Sequence, residues 1–283
     1  MTDVVAAASL SDVDMRIALI SEVFFGDPDA AHLTNVLHRA RDGGADLAVL
    51  PELPLNEWAP YSKVSREEDA ESIDGPRQQR MSEDAAASGV ALVGGAIVRD
   101  EETCTRYNTA FVYDRVGVRR ASYRKVHLPE EEGYWETSHY EPGDAAPQLI
   151  DSLPLRAGLQ ICSDVNRPQG FQLLAAQGAE VVFAPRATPP GSYDRWRIVL
   201  KANAVMSGTY VISVNRPRPE HGASIGGPSI AISPSGAVIA ETQATVTIVD
   251  LSRNVVEQAG SAYPGYLARF PGLYSDAWSH LAE

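Results

Sequence analysis

Cysteine is scarce: the 283 residues hold two, Cys104 and Cys162. Two thiols make no disulfide framework, and a chain this long can build its core without one. Basic runs are lacking too. Lys and Arg number 24 against 37 Asp and Glu, a formal charge of −13. Such a chain repels phosphate backbones, so no nucleic-acid partner is expected. No apolar stretch approaches the ~20 residues of a membrane span. The apolar run Val4 to Ala8 is short, and Asp3 stands where a signal peptide carries Lys or Arg. These absences predict a cytoplasmic protein without a membrane partner, in which a free thiol stays reduced. The six histidines form no metal-spaced cluster, and Gly222–Gly227 lacks the Lys and helix of a phosphate loop. Neither a metal nor an organic cofactor is expected.

What is present is an alternation of short apolar runs and helical patterns. Arg16–Ile20 reads as a strand. Residues 28–43 carry Leu33, Val36, Leu37 and Ala40 at helical spacing, with Asp27 as an N-cap before Pro28. Leu47–Leu50 reads as a buried strand and stops at Pro51-Glu52. A helix over 76–88, ended by Gly89, precedes a strand Val90–Val98. Tyr107–Tyr113 and Val118–Tyr123 form a strand pair, and a loop runs from His127 to Pro147. A strand Gly158–Ile161 ends at Cys162. A helix at 168–177, a strand Val181–Ala184, a helix at 193–206 and a strand Tyr210–Val214 follow. Three more strands occupy Ser229–Ser233, Ala237–Glu241 and Thr245–Leu251. This predicts a layered α/β protein with mixed sheets, as a single domain over 1–283 with a loose leader (1–14) and a C-terminal tail (254–283).

Three apolar segments end on reactive side chains: Glu52, Lys125 and Cys162. Strand ends in layered α/β folds converge on one edge. A thiol needs a base or cation to become a nucleophile. A carboxylate shielded from water can take and return its proton. An ammonium can stabilise an oxyanion. Taken singly, each has a plainer reading: Cys162 as inert core, Glu52 as a helix start, Lys125 as a surface cation. Cys104 reads as structural, His127 as a residue that orients the loop after Lys125, and Glu130–Glu132 as a solvated acidic turn.

The ordered words change that weighting. Leu50-Pro51-Glu52, Tyr123-Arg124-Lys125-Val126-His127-Leu128, Glu141-Pro142-Gly143 and Gly158-Leu159-Gln160-Ile161-Cys162-Ser163-Asp164 occur in sequence. So do Gln177–Glu180, Asn215-Arg216, and Gly227-Pro228-Ser229 through Pro234-Ser235-Gly236. From about Arg16 to Leu251 the chain resembles the nitrilase superfamily, the carbon–nitrogen hydrolases. The resemblance implies an αββα sandwich of two mixed sheets. It implies homodimers or larger homo-oligomers, in which a tail such as 254–283 crosses to the partner. It gives Glu52 the role of general base, Lys125 that of oxyanion lysine, Cys162 that of nucleophile and Glu136 that of second glutamate. The Ser163 N–H becomes the other oxyanion donor. Asn166, Arg167 and Arg186 are candidate substrate-binding residues. Gln169 replaces the family's usual Glu, which leaves the substrate's shape open. The activity implied is hydrolysis of an amide or N-carbamoyl amine through a thioester on Cys162. Nitrile hydrolysis by the same residues, or a non-catalytic binding protein on the same fold, is the alternative. The segment His127–Glu136 looks like that of N-carbamoylputrescine amidases.

Overall fold

The structure is a computed structural model that describes residues 13–26 and 31–281. Residues 1–12 of the expected leader and the expected Asp27–Pro28 helix start lie outside them. The first half of the chain runs β1 (Met15–Ile20), α1 (Ala31–Asp42), β2 (Leu47–Val49), α2 (Pro76–Ser88), β3 (Ala91–Arg99), β4 (Arg106–Tyr113) and β5 (Arg119–Arg124). A two-strand hairpin follows, β6 (Glu130–Glu131) and β7 (Tyr134–Trp135). The second half runs β8 (Ala157–Leu159), α3 (Gln169–Gln177), β9 (Val181–Phe183), α4 (Tyr193–Ser207), β10 (Tyr210–Ser213), β11 (Ser229–Ile232) and β12 (Val238–Thr242). The chain then returns to the first sheet as β13 (Val246–Leu251) and ends in α5 (Arg253–Ser261) and α6 (Pro271–Ser279).

One sheet has the order β13-β1-β2-β3-β4-β5, the other β12-β11-β10-β9-β8. Both are mixed. β1, β2 and β3 are parallel, as are β8, β9 and β10, and the remaining pairs are antiparallel. The period-2 alternation of the strands sorts their side chains into layers. Ile17, Leu19, Leu47 and Val49 meet Leu159, Val181, Phe183 and Ile212 between the sheets. Ala18, Ile20, Ala48 and Leu50 turn the other way, onto Leu33, Val36 and Leu37 of α1 and Met81 of α2. Val182, Ala184 and Val211 likewise pack on Phe171 and Leu174 of α3 and on Leu200 and Ala204 of α4. The result is helices, sheet, sheet, helices: the αββα sandwich. Burying each of these Leu, Ile or Phe side chains contributes roughly 1.5–3 kcal/mol. A one-residue slip in any strand would exchange the two faces, so the packing fixes register.

The structure adds to and departs from the sequence reading in several places. The stretch after Lys125 is not all loop: β6 and β7 pair Glu130 with Trp135 and Glu131 with Tyr134. The strand expected over 158–161 ends at Leu159, and Cys162 opens a 3-10 turn, Cys162–Asn166. The expected tail carries two helices, α5 and α6. Val255 and Val256 of α5 pack on the inter-sheet core, while Tyr263, Tyr266, Phe270, Tyr274 and Trp278 are exposed. Cys104, expected to be structural, is exposed in the turn between β3 and β4.

Candidate active site

Four side chains named from the sequence come together at the strand ends. Glu52 lies three residues beyond β2, where Leu53 turns the chain with φ +49°. Lys125 continues β5 by one residue, its N–H donating to the Asn108 carbonyl at 2.8 Å. Its own carbonyl accepts from the Gly143 N–H at 2.7 Å. A Cβ on Gly143 would sit 2.5 Å from the Arg124 carbonyl oxygen, which explains the glycine of the Glu141-Pro142-Gly143 word. Glu136 follows β7, on the one-turn 3-10 segment Glu136–Ser138.

The Lys125 ammonium sits between the two glutamates. It donates to Glu52 Oε1 at 2.8 Å and to Glu136 Oε1 and Oε2 at 2.6 and 2.7 Å. All three side chains are 0 % exposed. Asn108 Nδ2 donates to the same Glu52 Oε1 at 2.8 Å. Glu136 therefore has both oxygens on lysine, whereas Glu52 Oε2 is buried with no protein partner.

Cys162 occupies the elbow between β8 and α3 at φ +45°. A non-glycine residue there costs roughly 1–2 kcal/mol, a cost that appears where a turn must present a particular side chain. The N–H donates to the Pro185 carbonyl at 2.9 Å, and Sγ lies 3.6 Å from the Ala187 carbonyl. Burial pushes the thiol well above its usual pKa. The Glu52 charge adds to the shift and Lys125 opposes it. The resting thiol is thus neutral. Burial also raises Glu136, to about 8, with Lys125 pulling against it and Glu52 adding to it. Desolvation alone would weaken the Lys125 ammonium, but Glu136 and Glu52 outweigh it and hold its pKa well above the usual value. Two carboxylates around one cation leave an excess negative charge, so the cluster keeps a proton that isolated carboxylates would lose.

The remaining sequence candidates are placed differently. Ser163 is half-buried, and its hydroxyl donates to the His127 carbonyl. Its N–H lies in the first turn of the 3-10 segment, where no intrahelical acceptor exists. Asn166 and Arg167 are exposed at the end of that segment, and the guanidinium of Arg167 donates to the Asn166 carbonyl. Gln169 is exposed at the start of α3. Arg186 is buried and already engaged: Nε donates to Ser213 Oγ at 3.0 Å, and its terminal nitrogens donate to Thr188 Oγ1 and the Pro228 carbonyl. Burial pulls its pKa down to about 10. As placed, its fork binds protein rather than substrate. Two contributors escaped the sequence reading. Asn108 was hidden in the strand Tyr107–Tyr113, where an amide amid apolar residues is the one available signal. Tyr134 packs against Trp58, Tyr140 and Ala187 on one wall of the site, and burial, then Cys162 and Glu52, push its hydroxyl pKa far above the usual range. Among the described residues, no cluster of His, Cys, Asp and Glu could hold a metal ion.

Chemically, a thiol, a carboxylate with one open oxygen and a buried ammonium can together add sulfur to a carbonyl-type carbon and stabilise the oxyanion. An αββα fold with this arrangement at its strand ends defines a class of hydrolase acting on carbon–nitrogen bonds. The chain belongs to the carbon–nitrogen hydrolase family, whose family model matches residues 25–260. It is similar to the human protein named omega-amidase NIT2, at 28 % identity over 84 % of this chain and 88 % of that one. It is also similar to an amidase of Nesterenkonia sp. at 26 % identity, with a TM-score of 0.75 over 94 % of this chain and 97 % of that one. A mutant of the Nesterenkonia sp. AN1 amidase carries the acetamide moiety of fluoroacetamide covalently on its active-site cysteine; that structure is 28 % identical, with a TM-score of 0.72 over 87 % of this chain and 94 % of that one. A carbon-nitrogen hydrolase of Helicobacter pylori G27 shares the fold, with a TM-score of 0.85 at 20 % identity over 93 % of this chain and 98 % of that one. The chain is a carbon–nitrogen hydrolase; among the described residues no helix is long and apolar enough to cross a membrane.

Proposed function

We propose that the protein hydrolyses a small primary amide through a thioester on Cys162. Glu52 takes the thiol proton as sulfur attacks the amide carbon. The Lys125 ammonium and the Ser163 N–H receive the oxyanion. Glu52 returns its proton to the nitrogen, the carbon–nitrogen bond breaks and ammonia leaves. Glu52 then takes a proton from water, hydroxide adds to the thioester, and the acid and the Cys162 thiol are released. The observation that carries this reading is the unequal use of the two glutamates. Glu52 Oε2 is buried and unpartnered, which is what a proton carrier needs. Glu136 has both oxygens on Lys125 and acts by positioning that ammonium. The amidases among the similar proteins support the same bond type.

The surroundings favour a substrate without a carboxylate. The buried guanidiniums beside the site, Arg186 and Arg216, have protein acceptors already. A carboxylate entering here would be desolvated without a partner. A carbamoyl amine is the second reading. The edge of the acidic hairpin stands at Tyr134, whose hydroxyl feels both Cys162 and Glu131, and a distal cation would meet it favourably. We also propose a homodimer or larger homo-oligomer in the cytoplasm, since the exposed aromatics of residues 263–278 form an apolar surface that a second copy would cover.

Ammonia release from a panel tests the proposal: short neutral amides, N-carbamoylputrescine, amides bearing a carboxylate, and nitriles. Neutral amides should give the highest kcat/KM, with N-carbamoylputrescine next and the acids lowest. A clear lead for the acids overturns the substrate class. Turnover of a nitrile but not of its amide overturns the bond type.

A further inference from the structure

One buried carboxylate near the site has no part in the proton transfers, yet it touches both halves of the machinery. Asp164 is 0 % exposed. Its Oδ1 accepts from the Val126 N–H at 3.3 Å, the His127 N–H at 2.9 Å and His127 Nδ1 at 2.8 Å. Its Oδ2 accepts from the Tyr123 hydroxyl at 3.0 Å and the Ile161 N–H at 3.1 Å. Val126 and His127 are the two residues after Lys125, and Tyr123 lies two before it. Ile161 is the residue before Cys162. The hydroxyl of Ser163 closes the same junction by donating to the His127 carbonyl.

We propose that Asp164 is a positioning residue that sets the separation of the Lys125 ammonium and the Cys162 thiol by pinning the end of β5, in one sheet, to the nucleophile elbow, which follows β8 in the other. The inference rests on the proposed thioester reaction. The physical argument has three steps. β5 and β8 are each the last strand of a different sheet, so no ladder of hydrogen bonds runs between them. Lys125 and Cys162 must nevertheless act on one atom group, the reacting carbonyl, and a misplacement of about 1 Å can cost about 10²-fold in rate. A carboxylate buried this completely is costly unless hydrogen bonds fill its lone pairs, and here five donors do so. Four of them belong to the lysine strand and its continuation and one to the cysteine elbow, so the carboxylate works as a clamp across the inter-sheet gap. His127 acts through this clamp and not as an acid or base on the substrate.

Asp164→Asn tests the clamp. The amide has about the same size but offers one acceptor oxygen, and its NH2 would face the Ile161 N–H donor. Two rates are read on folded protein: acylation of Cys162 by a turned-over amide, and its alkylation by iodoacetamide, mapped by peptide mass to separate it from exposed Cys104. Alkylation displaces iodide at a saturated carbon and develops no oxyanion, so it needs the thiol but not its alignment with Lys125. We expect kcat and acylation to fall about 10²-fold, with KM and the alkylation rate changing by less than about threefold. Tyr123→Phe and His127→Ala each remove part of the clamp from its far side. They should show the same split with smaller falls, and they decide the matter if Asp164→Asn does not fold. Acylation within twofold of the parent in every folded variant overturns the clamp while leaving the reaction standing. An equal fall in acylation and alkylation overturns it too, because that shows a displaced thiol rather than a lost alignment. A parent that alkylates but never acylates overturns the reaction itself, and the clamp with it.

Discussion

Two clusters of buried ions lie side by side at the strand ends, and they are built on opposite rules. Arg216 pairs with Glu220, one cation with one anion, at 2.6 Å. Its remaining donors reach the carbonyls of Glu52, Leu53 and Asn56, and Glu220 also accepts from the Trp58 N–H. Charge balances and every guanidinium nitrogen is used. Lys125 instead faces two carboxylates, which it balances only while they hold a proton between them, and Glu52 Oε2 is left open. The first cluster holds the loop that carries Glu52. The second keeps a spare acceptor beside a thiol. A closed ion pair suits a scaffold, whereas two carboxyls that hold a proton between them beside an open oxygen suit proton transfer.

Substitutions should separate the two rules. Lys125→Met removes the cation between two buried carboxylates and the proposed oxyanion donor together. Turnover should drop by on the order of 10³-fold or more, measured as ammonia release per folded molecule. Retention of a tenth of the parent rate would count against Lys125 as part of the reaction. Arg216→Met should do the reverse. It strands Glu220 in the interior and should lower unfolding free energy by about 3–5 kcal/mol in denaturant titration. A loss of activity at unchanged stability would put Arg216 in the reacting cluster instead.

Glu136→Gln keeps size and removes one of the two titratable carboxyls. We expect kcat to fall about 10²-fold while Cys162 still alkylates. Activity within a factor of about two would remove Glu136 from the set. The same variant carries a pH signature. The Glu136 carboxyl is raised from 4.5 to about 8 in the folded chain, so the folded state binds the proton more tightly than the unfolded state. The stabilisation is fully present below about pH 4.5 and is lost as pH rises towards 8. The stability of the parent relative to Glu136→Gln should therefore decline across that window by on the order of a few kcal/mol and level off above it. A difference that grows with pH would contradict the raised value.

The smallest expected effect concerns the elbow. At φ +45° a glycine is unstrained and an alanine is not. Both Cys162→Gly and Cys162→Ala should be inactive, with the glycine variant more stable by about 1 kcal/mol. Equal thermal midpoints would show that the elbow stores no strain.

Much of the fold was readable because burial leaves a period in the sequence. Residues 76–88 are bounded by Pro76 and Gly89, and the helix α2 spans those residues. The wholly apolar runs Ile17–Ile20 and Leu47–Leu50 mark strands buried on both faces. The hairpin at Glu130–Trp135 was not readable, since two-residue strands have no period. Of the site, the residues embedded in ordered words met in space: Glu52, Lys125, Glu136 and Cys162. Arg186 misled, because a buried arginine reads the same whether its fork binds a ligand or, as here, Ser213, Thr188 and Pro228. Asn108 carried no word around it, and its role depends on a strand pairing that links residues far apart in sequence. Asp164 stood inside a word, yet its partners at 123, 126 and 127 come from the other sheet.

The central claim is that the open oxygen of Glu52 and the neutral thiol of Cys162 form one reaction centre. Mixing the protein with a turned-over neutral amide, quenching in acid within a turnover and measuring intact mass tests it most directly. The account predicts an added acyl mass on the parent, mapped to the Cys162 peptide, absent in Cys162→Ala and strongly reduced in Glu52→Gln. Ammonia release that persists in Cys162→Ala, or an acyl group mapped to Cys104, would contradict it.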